Sequence, residues 1–171
     1  MVVEKYTKAL LLSLKKEEII LTYEAIAKLA LVAKNSKFIL IIKSPLLSVD
    51  EKVKILSQIA QCDNPKFLNF LRIILENKRE DLLKEIYLKL YEKICFYFNT
   101  FKGKVEGDIN TYLLKEIEEK LSKKFNAKIE LSLQKNDLNG IKIFVEVLNI
   151  GIEVNEDKIK YNLINHILKA I

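Results

Sequence analysis

The spacing of apolar residues changes near Gly103, and this change limits the possible folds of the chain more than any other feature. From residue 2 to about residue 101, apolar residues recur every three or four positions, which is the spacing of one face of an α-helix. After Lys102-Gly103-Lys104, apolar and polar residues alternate in short segments, as in strands with one face in water. The sequence therefore predicts a mostly helical protein of two domains, a six-helix bundle over residues 1–102 and a small mixed α/β domain over residues 103–171.

The helices of the first domain are predicted from this spacing and from residues typical of helix starts. Ser48-Val-Asp-Glu51 has the S-x-x-E form of a capping box, in which hydroxyl and carboxylate each satisfy one N–H group. Asn64 followed by Pro65 predicts another start, because proline at the first helical position loses no hydrogen bond. The predicted helices cover residues 2–16, 18–33, 36–43, a span that begins at residue 48, 65–77 and 83–101.

The second domain is predicted to combine short strands with two helices. Asn110 or Thr111 caps the first of these helices. Asn139-Gly140 predicts a turn, and the acidic residues after Asn155 predict the first turn of the last helix. Strands are predicted at residues 105–109, 129–133 and 141–147, with a further extended segment around residue 152.

Composition excludes several classes of protein. Half of the 171 residues are hydrophobic and 30% are charged, which suits a folded chain and not a disordered one. No apolar run approaches the roughly twenty residues that span a bilayer. We expect no secretion signal, because the first residues already have the pattern of a charged amphipathic helix. We therefore expect any membrane association to pass through partners. The two cysteines, Cys62 and Cys95, lie far apart and suit a reducing compartment.

The net charge of +6 comes entirely from the first domain. Residues 1–102 hold 18 Lys/Arg against 12 Asp/Glu, whereas residues 103–171 hold 11 of each. A basic domain can bind nucleic acid, an anionic membrane face or an acidic protein. Tyr87 and Tyr91, interleaved with lysines, could stack on nucleic acid bases, but their position near an apolar helix face favours packing in the core. Charge alone leaves the kind of partner open.

No set of residues suited to catalysis or to cofactor binding is evident. The four glycines form neither a phosphate-binding loop nor a dinucleotide fingerprint. His166 is the only histidine and has no second metal ligand or catalytic partner near it in the sequence. Carboxylates alternate with lysines, as in residues 115–120, which indicates a solvated helix face. We therefore predict a protein that is not an enzyme and has no catalytic, cofactor-binding or metal site.

The first and fifth predicted helices carry more apolar surface than one buried face requires. When each helix is plotted at 100° per residue, Leu11 and Leu12 lie outside the apolar arc of the first, and Ile73 lies outside that of the fifth. Such a helix can pack on its own bundle with one side and accept an amphipathic partner helix with the other. Neighbouring helices of a compact bundle can equally bury both sides, so the pattern leaves both alternatives open.

Several segments, taken in order, resemble the delta subunit of bacterial F-type rotary ATP synthases, the family of the mitochondrial oligomycin-sensitivity-conferring protein. Lys5-Tyr-Thr-Lys-Ala-Leu10 is similar to the family's opening R-Y-A-K-A-L. Ser44-Pro-Leu-Leu-Ser-Val-Asp-Glu-Lys52 resembles its S-P-x-x-S-x-x-E-K stretch. Residues 67–79 resemble its N-F-L-x-L-L-x-E-N-G-R run, with Lys78 where glycine is usual. The resemblance covers essentially the whole chain, but the second half departs more from the family: Asp137-Leu-Asn-Gly140 keeps only one glycine of its D-x-x-L-x-G-G turn.

The resemblance implies a stator subunit. Its helical bundle would bind the N-terminal helix of an alpha subunit between the first and fifth helices, and its second domain would contact the b subunits of the peripheral stalk. Such a subunit holds the catalytic head against rotor torque during proton-driven ATP synthesis, at the cytoplasmic face of the bacterial inner membrane. Carried over by position, the partner-binding residues would be Tyr6, Ala9, Leu10, Ser13, Asn69, Arg72, Ile73 and Asn77.

A basic helical nucleic-acid-binding protein and a generic helical adaptor are the alternative interpretations. The first alternative predicts retention on DNA or RNA that weakens steeply with salt, because basic residues would displace counterions from phosphates. The stator interpretation instead predicts stable capture of a segment copying the alpha subunit N-terminus, with little effect of moderate salt.

Overall fold

The computed structural model describes residues 2–135 and 140–155 and divides the chain into two compact units, residues 1–94 and 95–171. The described chain is mostly helical, with a mixed four-stranded sheet in its C-terminal part. Within the described residues, no helix combines the length and the hydropathy needed to cross a membrane. The predicted last helix and His166 lie outside the described residues, as does most of the predicted Asn139-Gly140 turn.

The helical unit follows the predicted order of helices, with most bounds within two residues of those expected. α2 begins two residues earlier than predicted, at Lys16, and α3 has the predicted bounds. A 3₁₀ turn at Glu80–Leu82 precedes the last helix of this part. The helices are α1 Val2–Ser13, α2 Lys16–Val32, α3 Ser36–Lys43, α4 Val49–Ala60, α5 Pro65–Glu76 and α6 Leu83–Phe98.

The predicted helix starts at Ser48 and Asn64 are confirmed. The Ser48 hydroxyl accepts from the Glu51 N–H at 3.3 Å, and the Glu51 carboxylate accepts from the Ser48 N–H at 2.8 Å. The Asn64 side-chain oxygen accepts from the Lys66 N–H at 2.9 Å, with Pro65 as the first residue of α5. Local capping therefore fixes where α4 and α5 begin.

The core of the helical unit is apolar, and an aromatic cluster lies beside it. Tyr23 stacks on Tyr87 and Tyr91, with ring centroids 5.2 and 6.0 Å apart. The Tyr23 hydroxyl also donates to the Tyr87 hydroxyl at 3.0 Å. This cluster confirms the interpretation of Tyr87 and Tyr91 as packing residues. The largest fully buried side chains of the unit are Ile26, Leu29, Leu56, Phe67, Leu71, Ile74, Leu83, Ile86 and Leu90.

The α/β unit contains one crossover helix and a sheet with strand order β2-β1-β3-β4. β1 and β2 are parallel and are joined through α7, whereas β3 pairs antiparallel with both β1 and β4. The Asn110 side chain accepts from the Leu113 N–H at 2.8 Å and caps α7, as predicted. The elements are β1 Thr100–Glu106, α7 Thr111–Phe125, β2 Lys128–Gln134, β3 Gly140–Val145, a 3₁₀ turn at Glu146–Leu148 and β4 Ile150–Asn155.

The predicted end of the sixth helix and the predicted start of the first strand are each wrong by several residues. The sequence predicts that the sixth helix continues to Phe101 and that a strand follows at residues 105–109. In the structure α6 ends at Phe98, Asn99 adopts a left-handed conformation with φ of 49°, and β1 begins at Thr100. Asparagine tolerates this conformation better than most residues, so it ends the helix early. The predicted domain boundary after residue 102 therefore falls inside β1.

Gly103 lies within β1, and this position requires glycine because the space beside it admits no side chain. A β-carbon at this position would lie 2.6 Å from the Phe144 carbonyl oxygen and 2.8 Å from side-chain atoms of Leu131 and Val145. The strands on both sides of β1 thus approach the glycine closely. The glycine that marks the change of period is a packing requirement of the sheet, and no linker occurs there.

The two faces of the sheet differ in composition. One face is apolar and includes buried Phe101, Val105, Ile129, Ile143 and Val145. α7 lies against β2 and bonds to its backbone: the Ile129 N–H donates to the Ser122 hydroxyl at 3.0 Å, and the Leu131 N–H donates to the Glu118 carboxylate at 2.6 Å. The opposite face carries exposed or half-exposed charges, including the ion pairs Lys128–Glu130 and Lys142–Glu153.

Candidate functional site

A groove between α1 and α5 is the best candidate site in the helical unit. It encloses about 460 Å³. Its floor includes Leu10 and Phe70, whose side chains are only 3% and 6% exposed, whereas Val2 and Ile73 are about 40% exposed. The lining residues are Val2, Lys5, Tyr6, Ala9, Leu10 and Ser13 from α1, and Lys66, Asn69, Phe70 and Ile73 from α5.

The amphipathic pattern of α5 explains why this groove forms. Phe67, Leu71 and Ile74 are at most 1% exposed and hold one side of α5 in the core. Asn69 and Ile73 lie four residues apart on another side and both line the groove. The apolar residues of α5 that exceed the needs of the core therefore form one wall of an open depression. Within the helical unit, the bundle does not bury both sides of this helix.

Six of the eight residues carried over from the resemblance line this groove: Tyr6, Ala9, Leu10, Ser13, Asn69 and Ile73. The Ser13 hydroxyl donates to the Leu10 carbonyl at 2.7 Å. The other two, Arg72 and Asn77, lie outside the groove lining. Arg72 forms an ion pair with Asp50 of α4, and the Asn77 side chain donates to the Ile73 carbonyl at 2.7 Å at the end of α5. Arg72 lies next to Ile73 in the chain but faces another helix.

Four lining residues, Val2, Lys5, Lys66 and Phe70, were not among the predicted site residues. Their spacing along the two helices would have been enough to predict them. Lys66 lies three residues before Asn69, and Val2 lies four residues before Tyr6, so each shares a helix face with a predicted residue. Extending each face by one turn would have brought all four into the prediction.

A hydrogen-bond network around Glu18 holds one end of the groove. One Glu18 carboxylate oxygen accepts from the Lys66 ammonium at 2.7 Å and from the Lys15 N–H at 2.6 Å. The other oxygen accepts from the Asn64 side-chain amide at 2.8 Å. The hydrogen bond from Lys66, followed by those from Lys15 and Asn64, lowers the pKa of Glu18 from 4.5 to about 2. The network links the start of α2 to the start of α5.

Outside the groove, the described side chains offer few groups suited to metal binding or redox chemistry. The described part of the chain contains no group of three or more His, Cys, Asp or Glu residues placed to hold a metal ion. Cys95 is buried and Cys62 is half-buried. An open, mainly apolar groove with a lysine in each wall suits recognition of another protein segment.

Comparison with known proteins decides the family. The model of the family described as ATP synthase delta (OSCP) subunit matches residues 2–160. The chain belongs to the ATP synthase delta (OSCP) subunit family. It is 34% identical to an ATP synthase subunit delta of Campylobacter concisus over 172 aligned positions, which cover 99% of this chain and 98% of the relative. It is 30% identical to the corresponding subunit of Aliarcobacter butzleri, with coverage of 100% and 98%.

A solved structure supports the fold of this delta-family member. A chain in the mitochondrial ATP synthase hexamer of Toxoplasma gondii matches with a TM-score of 0.58 at 17% identity, covering 98% of each chain. The whole-chain family match identifies the protein as a non-catalytic stator subunit of the F-type ATP synthase, as the sequence analysis predicted. Nothing in the comparisons favours a nucleic-acid-binding function.

Proposed function

We propose that this delta-family subunit ties the catalytic head of the ATP synthase to its peripheral stalk. α1 to α6 act as one six-helix bundle, and the groove between α1 and α5 binds the N-terminal helix of the alpha subunit. The α/β unit contacts the b subunits, and the protein reaches the cytoplasmic face of the bacterial inner membrane only through these partners. The observation that carries this proposal is the apolar groove between the two helices.

The dimensions and composition of the groove support a helix as its occupant. The lining on α1 extends from Val2 to Ser13, a rise of about 16 Å at 1.5 Å per residue, or about three helical turns. Its floor is apolar and its walls carry aromatic and aliphatic side chains, which suits the apolar face of an amphipathic helix. Six lining residues coincide with those carried over from the family resemblance.

A stator contact must persist while the rotor exerts torque on the catalytic head. Apolar burial is affected little by moderate salt, whereas exposed ion pairs are screened within a Debye length of about 8 Å at physiological ionic strength. A helix that fills an apolar groove therefore provides a contact that depends little on ionic strength. The protein makes and breaks no covalent bond in this role, and its contribution to ATP synthesis is mechanical.

The test measures binding of the full-length protein to a synthetic peptide that copies the N-terminal segment of the alpha subunit from the same organism. Ile73→Asp and Tyr6→Asp each place a carboxylate in the apolar groove, and we expect each to weaken binding by roughly thirtyfold or more. Raising the salt concentration from 100 to 500 mM should change wild-type affinity only severalfold.

Arg72→Ala is the matched control, because Arg72 neighbours Ile73 on α5 but lies outside the groove lining. We expect this variant to bind within about twofold of wild type, since exposed ion pairs contribute little. Circular dichroism must show that all variants are folded. The groove assignment is wrong if the wild-type protein binds the peptide and neither aspartate substitution weakens it.

A further inference from the structure

The two ends of the groove differ in charge, and the packing of α1 and α5 shows which end is which. Glu18 lies near the end of α1, because only two residues separate α1 from α2. Its carboxylate holds Lys66 and Asn64, which lie at the start of α5. The start of α5 is therefore next to the end of α1, and the two helices line the groove in opposite directions. Lys66 marks one end of the groove, and Lys5 lies toward the other.

The lysine at the first end is neutralised within the protein. The Lys66 ammonium lies 2.7 Å from the Glu18 carboxylate, and both side chains are partly buried. A lysine held in this way offers little net charge to an incoming segment. This end of the groove is polar but close to electrically neutral.

The lysine at the other end has no such partner. Lys5 is exposed and lines the groove, and among the described residues it takes part in no ion pair. Among the described residues, no acidic residue lines the groove at either end. Glu4, the neighbouring carboxylate, forms ion pairs with Lys89 and Lys93 of α6 and does not line the groove. The groove thus presents one uncompensated positive charge, at the Lys5 end.

We propose that Lys5 selects a partner helix that carries an Asp or Glu at the end lying beside it. This inference rests on the proposed function, in which the groove binds a helix, and it adds the chemistry and the placement of that helix. An amphipathic helix of about three turns fills the groove with its apolar face, and its acidic residue pairs with Lys5 at the rim. Since only one end of the groove carries uncompensated charge, the pair also fixes the direction in which the helix lies.

Lys8 provides a control within the same helix. It carries the same charge as Lys5, is exposed, and lies outside the groove lining. Lys5→Glu and Lys8→Glu therefore change the net charge of the protein equally and differ only in their distance from the groove. Any effect common to both variants reports general electrostatic attraction, and any difference between them reports the rim contact.

The experiment measures association and dissociation rates of the full-length variants with the alpha subunit N-terminal peptide at 50 and 500 mM salt. We expect Lys5→Glu to weaken binding about five- to tenfold at low salt, mainly by slowing association, and about twofold at high salt. Lys8→Glu should change affinity less than twofold. Peptides in which each acidic residue is replaced in turn by lysine should include one that binds Lys5→Glu better than it binds wild type.

The outcomes separate this inference from the proposed function. Equal effects of Lys5→Glu and Lys8→Glu, or the absence of a compensating peptide, would overturn the selection by Lys5 while the groove assignment stands. If the wild-type protein does not bind the peptide, or if Ile73→Asp binds as well as wild type, the proposed function fails and this inference fails with it. The inference is supported if Lys5→Glu weakens peptide binding more than Lys8→Glu does, and if one lysine-containing peptide restores the binding of Lys5→Glu.

Discussion

The helical unit and the α/β unit arrange their apolar surface differently. The helical unit leaves Val2 and Ile73 about 40% exposed at the edge of a groove. The α/β unit places most apolar residues of its sheet on one face, whereas the other face carries charged residues, ion pairs such as Lys128–Glu130, and Phe144, which is 41% exposed. Exposed apolar residues of the helical unit mark a candidate binding site only where they line a groove, since Leu12 is 76% exposed outside the groove lining. A charged sheet face does not mark such a site, because exposed ion pairs are common on any protein surface.

The largest expected effect on stability comes from a substitution at Gly103, which should affect the α/β unit and spare the groove of the helical unit. Gly103→Ala places a β-carbon 2.6 Å from a backbone oxygen in the adjacent strand, so strands must shift, and we expect destabilisation of the α/β unit by about 2–3 kcal/mol. Urea unfolding with amide hydrogen exchange of each unit measures this loss. Binding of the alpha subunit peptide should stay within twofold of wild type, because the groove belongs to the helical unit.

Gly151→Ala is the control for this substitution. Gly151 lies in β4 of the same sheet, and a β-carbon there would have no atom of the described part of the chain within 4 Å. We expect it to be neutral or slightly stabilising, since alanine restricts the unfolded chain. Equal destabilisation by the two substitutions would show that packing around β1 is not what requires the glycine.

A smaller effect is expected at the helix caps, one in each unit. Asn64→Ala removes the cap of α5 and the hydrogen bond to Glu18, so we expect a loss of about 1–2 kcal/mol and weaker peptide binding. Asn110→Ala removes the cap of α7 alone and should cost about 1 kcal/mol without changing binding. Urea unfolding and peptide titration distinguish the two. Equal binding by both variants would show that the start of α5 does not position the groove.

The smallest effect concerns the pH dependence of the helical unit. The pKa of Glu18 is lowered to about 2 in the folded state, so the unfolded chain binds more protons between about pH 4.5 and pH 2. The stabilisation by Glu18 is therefore complete above that range and is lost as the pH falls through it. Melting temperatures of Glu18→Gln should fall less over this interval than those of wild type.

Glu17→Gln is the control, because Glu17 is the neighbouring carboxylate in the first turn of α2 and takes no part in the Glu18 network. This variant should keep the acid sensitivity of wild type. If Glu18→Gln shows the same acid dependence as wild type, the network around Lys66 does not lower the pKa of the carboxylate.

The starts of the helices were predicted well from the sequence, whereas the end of α6 was not. The caps at Ser48, Asn64 and Asn110 were found because a helix start needs particular side chains at fixed offsets. The end of α6 was missed because Phe101 continues a helical spacing while Asn99 already adopts a left-handed conformation. Phe101, Gly103 and Val105 also alternate with polar residues. This alternation predicts a strand and competes with the helical spacing.

The candidate site was predicted in part for a similar reason. A helical plot shows which residues share a face, so Ile73 could be assigned to the surplus apolar surface of α5, whereas Leu11 and Leu12, assigned in the same way on α1, do not line the groove. It does not show which other helix each face meets. Arg72 was therefore placed in the site, although its guanidinium pairs with Asp50 of α4, and Lys66 was left out although it lines the groove. The division of residues between groove and neighbouring helix depends on the packing of the bundle.

The hydrogen bonds from α7 to β2 have a consequence for the protein before it joins the ATP synthase. β2 is an edge strand, and its outward N–H groups at Ile129 and Leu131 would otherwise be able to pair with a strand of another molecule. Ser122 and Glu118 already occupy them. Strand addition at this edge would first have to displace both side chains. Newly made subunits are thereby protected from sheet-to-sheet aggregation along β2 while they await their partners.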